Sequence, residues 1–137
     1  MKRSAQAVWN GSLKEGRGRF SVASGAITEL AYSFNQRFGD EVGANPEELI
    51  AAAHAACFSM ALSGQLGERG ITPEIIETKC SITFENKTLT TSALTTTVRA
   101  PGADRAKVEE AGAAAKAGCP ISRALQLEIT LELELVA

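Results

Sequence analysis

The feature that most constrains the fold of this chain is a long apolar segment near its middle. Residues 49–62, LIAAAHAACFSMAL, contain only two polar side chains, those of His54 and Ser59. A helix that is apolar on every side is typically buried, because each of its faces avoids water. Five alanines within residues 51–56 would also let another backbone approach closely. The segment therefore predicts a buried helix.

The ends of this helix are marked by the residues that flank the apolar segment. Asn45 can cap the helix, and Pro46 suits its first position. Two glutamates follow directly, where the helix dipole favours negative charge. Gly70 is typical of a residue just beyond a helix end. We therefore predict a helix from Pro46 to Glu68 or Arg69.

Segments on either side of the helix alternate in polarity or are interrupted by glycine, which indicates β-structure. Residues 5–35 carry glycines at positions 11, 16, 18 and 25, and indicate two or three short antiparallel strands. Residues 34–46 have no period and predict a loop. Residues 73–102 indicate a β-hairpin that turns near residues 86–87.

The last part of the chain predicts a second helix and a final strand. Residues 103–117 are helical in composition and end at Gly118. Residues 127–135 alternate leucine or isoleucine with glutamate or threonine, as in a strand with one face buried and one in water. The order of elements predicts a single α+β domain over residues 1–137, with helices packed on one face of a largely antiparallel sheet.

Charge and composition argue against several classes of partner. The 14 basic and 16 acidic residues are mixed along the chain, which does not favour binding to nucleic acid or to an acidic membrane. The first residues, MKRSAQAVWNGS, lack the apolar run of a secretory signal, and no segment approaches the ~20 apolar residues of a membrane span. We expect a cytoplasmic protein, in which three cysteines are packed, metal-bound or redox-active.

Two cysteines and the single histidine are candidates for chemistry. Cys57 lies one helical turn after His54, and free cysteine is often a buried hydrophobe. Cys57 can therefore be a packing residue or a nucleophile, and His54 a hydrogen-bonded core residue or a catalytic one. Cys119 stands between Gly118 and Pro120, at the predicted start of a further helix. Free amides and the helix dipole at such a position lower the pKa of a thiol.

The third cysteine, Cys80, occupies an apolar-alternating position of the hairpin, which favours packing. His54 and the three cysteines could also form a tetrahedral metal site. Against it, the chain has no Cys-x-x-Cys pair, and the four ligands would come from scattered places. The residues alone therefore leave open a buried cysteine, a reactive thiol and a structural zinc site.

Two separated motifs, NPEELIAAAHAACFSMAL at residues 45–62 and AGCPISRAL at residues 117–125, resemble the OsmC/Ohr family. The family comprises osmotically inducible protein C and the organic hydroperoxide resistance proteins, which are thiol peroxidases that reduce organic hydroperoxides. The resemblance extends over essentially the whole chain. His54 is closer to the OsmC branch, since Ohr proteins typically have tyrosine there.

The resemblance implies roles for four residues. Cys57 matches the peroxidatic cysteine, which peroxide oxidises to a sulfenic acid. Cys119 matches the resolving cysteine, which then forms a Cys57–Cys119 disulfide. Arg37 matches the loop arginine, and Glu47 matches the acidic residue that holds it. Cys80 matches no functional residue, and no cofactor is implied.

The resemblance also implies an assembly and partners. The implied fold is an OsmC-like intertwined homodimer, in which antiparallel sheets wrap around two long central helices. The alanine-rich face of the helix would then meet its symmetry mate. The implied partners are an organic hydroperoxide and a dithiol reductant, for which the family suggests lipoylated proteins.

The chemistry explains why these residue types are needed. The thiolate is the attacking species, and burial alone would raise the pKa of the Cys57 thiol. Arg37 is the candidate cation, because a guanidinium stays charged. It can also stabilise the leaving alkoxide, an effect of order 10²–10³ in rate. Glu47 lies about 15 Å from Cys57 along a straight helix, so the arginine must lie along the helix surface to serve both.

Other functions remain open at this stage. An apolar pocket formed by Leu49, Phe34, Phe38 or Met60 would favour alkyl or lipid hydroperoxides over hydrogen peroxide. A redox sensor or a hydrophobic-ligand-binding protein could use the same thiol pair without turnover. Besides an enzyme and such a sensor or binding protein, a structural zinc protein is the third class of function.

Overall fold

The structure, a computed structural model, describes all 137 residues. The chain forms two compact units, residues 1–49 and residues 50–137. Both contain helices and strands, so the predicted α+β class is confirmed. The single domain over residues 1–137 stays a prediction.

The first unit contains the predicted meander of short strands. Three antiparallel strands pair in chain order, which confirms the prediction for this region. A helix of five residues, α1 (Phe34–Phe38), follows, where the sequence predicted only a loop. Its first turn is fixed by Ser33, whose hydroxyl accepts a hydrogen bond from the Gln36 amide at 3.2 Å. The strands are β1 (Ala5–Asn10), β2 (Arg17–Val22) and β3 (Leu30–Tyr32).

The long central helix, α2 (Pro46–Glu68), has the predicted limits. The Glu48 amide donates to Asn45 Oδ1 at 2.8 Å, so Asn45 caps the helix. Gly70 has a φ of +75°, the left-handed conformation that ends many helices. The chain then returns to the helix through a hydrogen bond from the Ile71 amide to the Leu66 carbonyl at 2.9 Å.

Only one face of α2 is buried in the single chain. His54, Phe58, Leu62 and Leu66, four residues apart along the helix, are fully buried. A different face of the helix is exposed: it carries Ala53, Ala56 and Met60, and Met60 is 77% exposed. The prediction of a helix buried on every side is therefore wrong for one chain alone.

The length and apolarity of α2 have a second consequence. By these two criteria the helix could cross a membrane, so the expectation that no segment approaches such a span is wrong. One such helix is a weak indication, because core helices of soluble proteins meet the same criteria.

The second unit is built on a sheet with strand order β4-β5-β6. The first two strands form the predicted hairpin, and its turn has positive φ angles at Asn86 and Lys87, as in a type I′ turn. The third strand pairs in parallel with the second, whereas we predicted a largely antiparallel sheet. Parallel pairing requires a crossover, which two helices supply. These elements are β4 (Ile75–Glu85), β5 (Thr88–Arg99), α3 (Arg105–Gly118), α4 (Pro120–Ala124) and β6 (Glu128–Val136).

The core of the second unit lies between the sheet and the helices. The leucine and isoleucine side chains of β6 pack against it, and its glutamates are exposed, as predicted. Helix α3 lies so close to the sheet that a Cβ added at Gly112 would stand 2.6 Å from Leu133 Cδ1. This packing fixes the end of α3, and with it the position of Cys119.

Candidate active site

Cys57 and Cys119 form a pair of free thiols in the second unit. Their sulfur atoms lie 3.0 Å apart, although 62 residues separate them in the chain. Cys57 is half-buried on α2, and Cys119 has no exposed surface. A disulfide bond is about 2 Å long, so a shift of about 1 Å would allow it to form.

The chain places Cys119 between two helices. It is both the residue that ends α3 and the residue that precedes α4. Pro120 occupies the first position of α4, where its missing N–H costs nothing. Donors of Ile121 and Ser122, two early residues of α4, favour the ionised form of the Cys119 thiol and so lower its pKa. The predicted position at a helix start is therefore confirmed.

These donors give the two thiols different acidities. Burial raises the pKa of Cys57, and its contact with Cys119 raises it further. Burial also opposes ionisation of Cys119, but hydrogen bonds from Cys57 and from Ser122 and Ile121 outweigh it and lower the pKa of that thiol. The directions of these shifts make Cys119 the more acidic thiol of the pair.

His54 lies beside this pair and is fully buried. Its Nδ1 is 2.6 Å from Ser92 Oγ, and its Nε2 is 2.7 Å from Ser122 Oγ. Burial lowers the pKa of the imidazole, so the ring is neutral. Because both ring nitrogens have hydroxyl partners, His54 is not oriented as a metal ligand. No group of three or more histidine, cysteine or acidic side chains is placed to hold a metal ion.

Cys80 is half-buried on β4 and faces the same cluster. Its sulfur lies 3.1 Å from Ser92 Oγ and 4.0 Å from His54 Nδ1. Sequence reasoning missed both serines. Ser122 follows Cys119 by three residues, which is a usable signal, because residues three apart share a helix face. Ser92 is one of many small polar residues in β5 and carries no such signal.

Arg37 and Glu47 form an ion pair in the first unit. Arg37 Nε donates to both carboxylate oxygens, at 3.0 and 3.2 Å, and Nη2 donates to Oε1 at 2.7 Å. The guanidinium carbon also lies 4.9 Å from the centre of the Phe38 ring. Phe34 packs on Phe38 with ring centres 5.0 Å apart. The structure thus brings Arg37 and Glu47 together, as the family resemblance implied.

The residues predicted to form an apolar pocket are divided among three places. Phe34 and Phe38 line a hollow of about 240 Å³ that also includes Arg37. Leu49 lines a separate apolar hollow of about 430 Å³ in the first unit. Met60 is exposed on α2. The other side chains around the Arg37 hollow are Trp9, Leu13, Tyr32 and Ser33.

Comparison with known proteins gives consistent matches along the chain. A family profile described as "OsmC-like protein" matches residues 38–134. Peroxiredoxin OsmC of Escherichia coli (strain K12) is 46% identical over 137 residues, covering 97% of this chain and 96% of that protein. The protein of the same name in Shigella flexneri matches equally well.

Solved structures agree with this match. The organic hydroperoxide resistance protein OhrB of Bacillus subtilis has a TM-score of 0.65 at 28% identity, over 97% of this chain and 98% of that one. An OsmC-like protein from Mycoplasma pneumoniae has a TM-score of 0.79 at 16% identity, over 100% and 99% of the two chains. At that identity the second comparison shows a shared fold.

Proposed function

The chain belongs to the OsmC family, and from this premise we propose that it is a thiol-dependent peroxidase that reduces organic hydroperoxides to alcohols. The names of its relatives, peroxiredoxin and organic hydroperoxide resistance protein, support this activity. The observation that carries the proposal is the pair of free thiols, Cys57 and Cys119, with sulfur atoms 3.0 Å apart.

The first step oxidises Cys57. Its thiolate attacks the terminal oxygen of the hydroperoxide, and the O–O bond breaks. The sulfur becomes a sulfenic acid, and the alkoxide takes a proton and leaves as the alcohol. Cys57 is the better placed nucleophile, because it is partly exposed while Cys119 is fully buried.

The second step uses Cys119 as the resolving cysteine. Its thiolate attacks the sulfenic sulfur, the S–O bond breaks, and hydroxide leaves to become water. A dithiol then reduces the Cys57–Cys119 disulfide by two exchange steps and is itself oxidised to a disulfide. Lipoylated proteins are the proposed source of this dithiol. No cofactor takes part in this sequence.

Arg37 and Glu47 are proposed to assist the first step. Since burial raises the pKa of Cys57, only a small fraction of this thiol is ionised at neutral pH, and a cation is needed. The Arg37 guanidinium would stabilise the thiolate and then the developing alkoxide. The bidentate contact with Glu47 supports an orienting role for that carboxylate. The Phe34 and Phe38 rings beside Arg37 suit an alkyl substrate.

We further propose that the protein acts as a homodimer in the cytoplasm. The exposed face of α2, which includes Ala53, Ala56 and Met60, supports dimerisation because it is apolar and uncovered in one chain. A cytoplasmic location suits three cysteines that are all free thiols.

Turnover tests the proposed function most directly. The protein is mixed with tert-butyl hydroperoxide and an excess of dihydrolipoamide, and peroxide loss is followed over many equivalents. We expect continued consumption by the parent protein and none by Cys57→Ser. A redox sensor would consume one equivalent and stop, which would contradict the proposal.

The control variant for this assay is Thr96→Val. Thr96 is 1% exposed, and its hydroxyl lies 2.6 Å from the Thr78 hydroxyl, in a polar contact separate from the two sulfurs. The exchange removes a buried hydroxyl while conserving shape. We expect turnover at the parental rate, so a general loss of stability can be distinguished from loss of the thiol.

A further inference from the structure

Arg37 lies on an element that cannot hold its own position. Helix α1 has five residues, little more than one turn, and none of them is buried. A single helical turn is unstable by itself, because its nucleation fixes several residues for one hydrogen bond. The ion pair with Glu47 adds little, since partly exposed ion pairs contribute only modestly to stability. Other contacts therefore fix the orientation of Arg37.

The hydroxyl of Ser33 joins α1 to the loop that follows it. Ser33 directly precedes α1 and is only 3% exposed. Its hydroxyl oxygen accepts a hydrogen bond from the Gln36 amide at 3.2 Å, and the hydroxyl donates to Glu41 Oε2 at 3.4 Å. The Ser33 carbonyl accepts from the backbone amide of Arg37 at 3.1 Å. The hydroxyl thus uses its donor on the loop and an acceptor on the helix.

The loop of residues 39–45 connects α1 to α2 and closes back on its own start. Tyr32, before α1, and Ala44, near the end of the loop, form an isolated parallel β-bridge. Within the loop, Gly43 packs against Gln36, because a Cβ added at this glycine would overlap Nε2 and Cδ of the glutamine. The segment that carries α1 is therefore closed at both ends.

This closure sets where Arg37 meets its partner. Glu47 lies in the first turn of α2, immediately after the loop. Arg37 Nε and Nη2 both donate to its carboxylate, and such a fork depends on the mutual orientation of the two groups. A displacement of α1 relative to the loop would therefore weaken this contact.

We propose that Ser33 is a positioning residue for Arg37: its hydroxyl fastens α1 to the following loop, so that the guanidinium stays directed at Glu47. This inference rests on the proposed function, in which Arg37 stabilises the Cys57 thiolate. Ser33 acts on the reaction through Arg37. Removal of its hydroxyl should therefore slow the oxidation of Cys57 and leave the later disulfide step unchanged.

Hydrogen exchange followed by NMR tests the position of α1 without an enzyme assay. The reporters are two protons of Arg37: the backbone N–H, bonded to the Ser33 carbonyl, and Nε–H, bonded to Glu47. In Ser33→Ala both should exchange about fivefold faster, the factor expected for loss of a helix N-cap. Ser33→Thr, which keeps a hydroxyl, should restore most of the protection. Unchanged exchange in Ser33→Ala would overturn the proposal.

Ser21→Ala is the matched control. The Ser21 hydroxyl also accepts a hydrogen bond from a backbone amide, that of Glu29 at 2.8 Å, and it lies in the same unit but outside α1 and the loop. The same atom is lost, so a general loosening of the unit would appear in both serine variants. We expect the Arg37 protons of Ser21→Ala to exchange at the parental rate. Acceleration equal to that in Ser33→Ala would refute a local role.

A second test leaves Ser33 unchanged, so it stays valid if Ser33→Ala does not fold. Gly43→Ala should displace the Gln36 side chain and speed exchange of the Arg37 N–H about twofold or more, less than an overpacked core because the end of a glutamine can move. In a Gln36→Ala background the same change should have little further effect, since residues in contact are not additive. No acceleration, or equal acceleration in both backgrounds, would contradict the coupling of α1 to the loop on which the proposal depends.

Rapid-mixing kinetics connect the position of Arg37 to the reaction. Oxidation of Cys57 by an organic hydroperoxide should be about twofold to fivefold slower in Ser33→Ala, because the fraction of correctly placed Arg37 can fall by no more than the cap contributes. Disulfide formation, which follows oxidation, should keep its parental rate. If Arg37→Ala were slow but Ser33→Ala oxidised at the parental rate, the positioning role would be wrong.

The two measurements separate this inference from the proposed function. If the parent protein shows no turnover but the Arg37 protons exchange faster in Ser33→Ala, the proposed function fails and the positioning of Arg37 by Ser33 remains. If turnover is normal and the exchange does not change, only the positioning role fails.

Discussion

Cys57 Sγ lies 3.0 Å from Cys119 Sγ while both residues are free thiols. Two features hold the sulfurs there. Cys57 follows the buried His54 on α2, and Cys119 is fixed by the junction of α3 and α4. Because the partner is in place before oxidation, a sulfenic acid on Cys57 has little time to react further.

Oxidation by one equivalent of an organic hydroperoxide should therefore give an intramolecular Cys57–Cys119 disulfide, with Cys80 still a free thiol. Cys80 contacts Ser92 and His54 and makes no hydrogen bond to either of the other sulfurs. Peptide mapping after alkylation of free thiols identifies the linked pair. A disulfide that includes Cys80 would contradict the assignment of roles.

The variant Cys119→Ser is the matched test of resolution. Cys57 should still be oxidised once, but no second thiol is near to form the disulfide. Mass spectrometry should then show a persistent sulfenic acid, or a sulfinic acid when peroxide is in excess.

Stability should depend on pH through His54. Burial lowers the pKa of this imidazole below its ordinary value of 6.5, so the folded state holds it neutral while the unfolded chain takes up a proton. The contribution is fully present above about pH 6.5 and is lost as pH falls through the folded pKa. Between about pH 6.5 and 5.5 we therefore expect the free energy of unfolding to fall.

Urea unfolding at these two pH values measures this loss. His54→Gln keeps a donor and an acceptor but does not titrate, so it should lack this part of the pH dependence. The difference between the parent and this variant isolates the imidazole from the carboxylates. Equal pH dependence in the two proteins would show that folding does not lower the pKa of His54.

Features that depend on neighbouring residues were predictable from the sequence, whereas features that depend on residues far apart in the chain were not. The limits of α2 were predictable because Asn45 and Gly70 act on their own backbone neighbours. The alternation in β6 predicted which face is buried but could not indicate a parallel neighbour, since pairing depends on the path of the chain. Helix α1 was missed because its cap, Ser33, lies outside the short segment that looked aperiodic.

The same distinction applies to the candidate site. The position of Cys119 at a helix start could be predicted from Gly118 and Pro120 beside it. The hydrogen bonds of His54 could not, because Ser92 is 38 residues away and Ser122 is 68 residues away. Contacts over such separations follow from the packing of whole elements, and no local pattern encodes them.

Arg37→Ala should lower the rate of Cys57 oxidation by a factor of order 10²–10³ without unfolding the protein. The side chain is more than one-third exposed, so its loss leaves no buried cavity. Alkylation of Cys57 by iodoacetamide at about pH 6 should also slow, because less thiolate is present. Arg37→Lys should recover only part of the rate, since it restores charge but not the planar fork.

Arg99→Ala provides the control for this prediction. Arg99 pairs with Glu74 on the surface of the second unit, at 3.1 Å, and both side chains are more than half exposed. Its loss should leave oxidation unchanged. If Arg37→Ala had the parental pH profile of alkylation and the parental rate, Arg37 would have no role at Cys57.

The exposed apolar face of α2 should make the protein a homodimer at micromolar concentration. Ala53 and Ala56 are exposed in one chain, and Gly64 and Gly67 have nothing within 4 Å of an added Cβ, so this face can accept another backbone closely. Light scattering should give twice the monomer mass of 14.4 kDa.

Ala56→Glu would place a charge in this contact and should prevent folding, because such dimers often have no stable monomer. Ala113→Glu, at an exposed alanine of α3, is the matched control and should remain folded and dimeric. A monomeric parent protein would exclude the intertwined assembly.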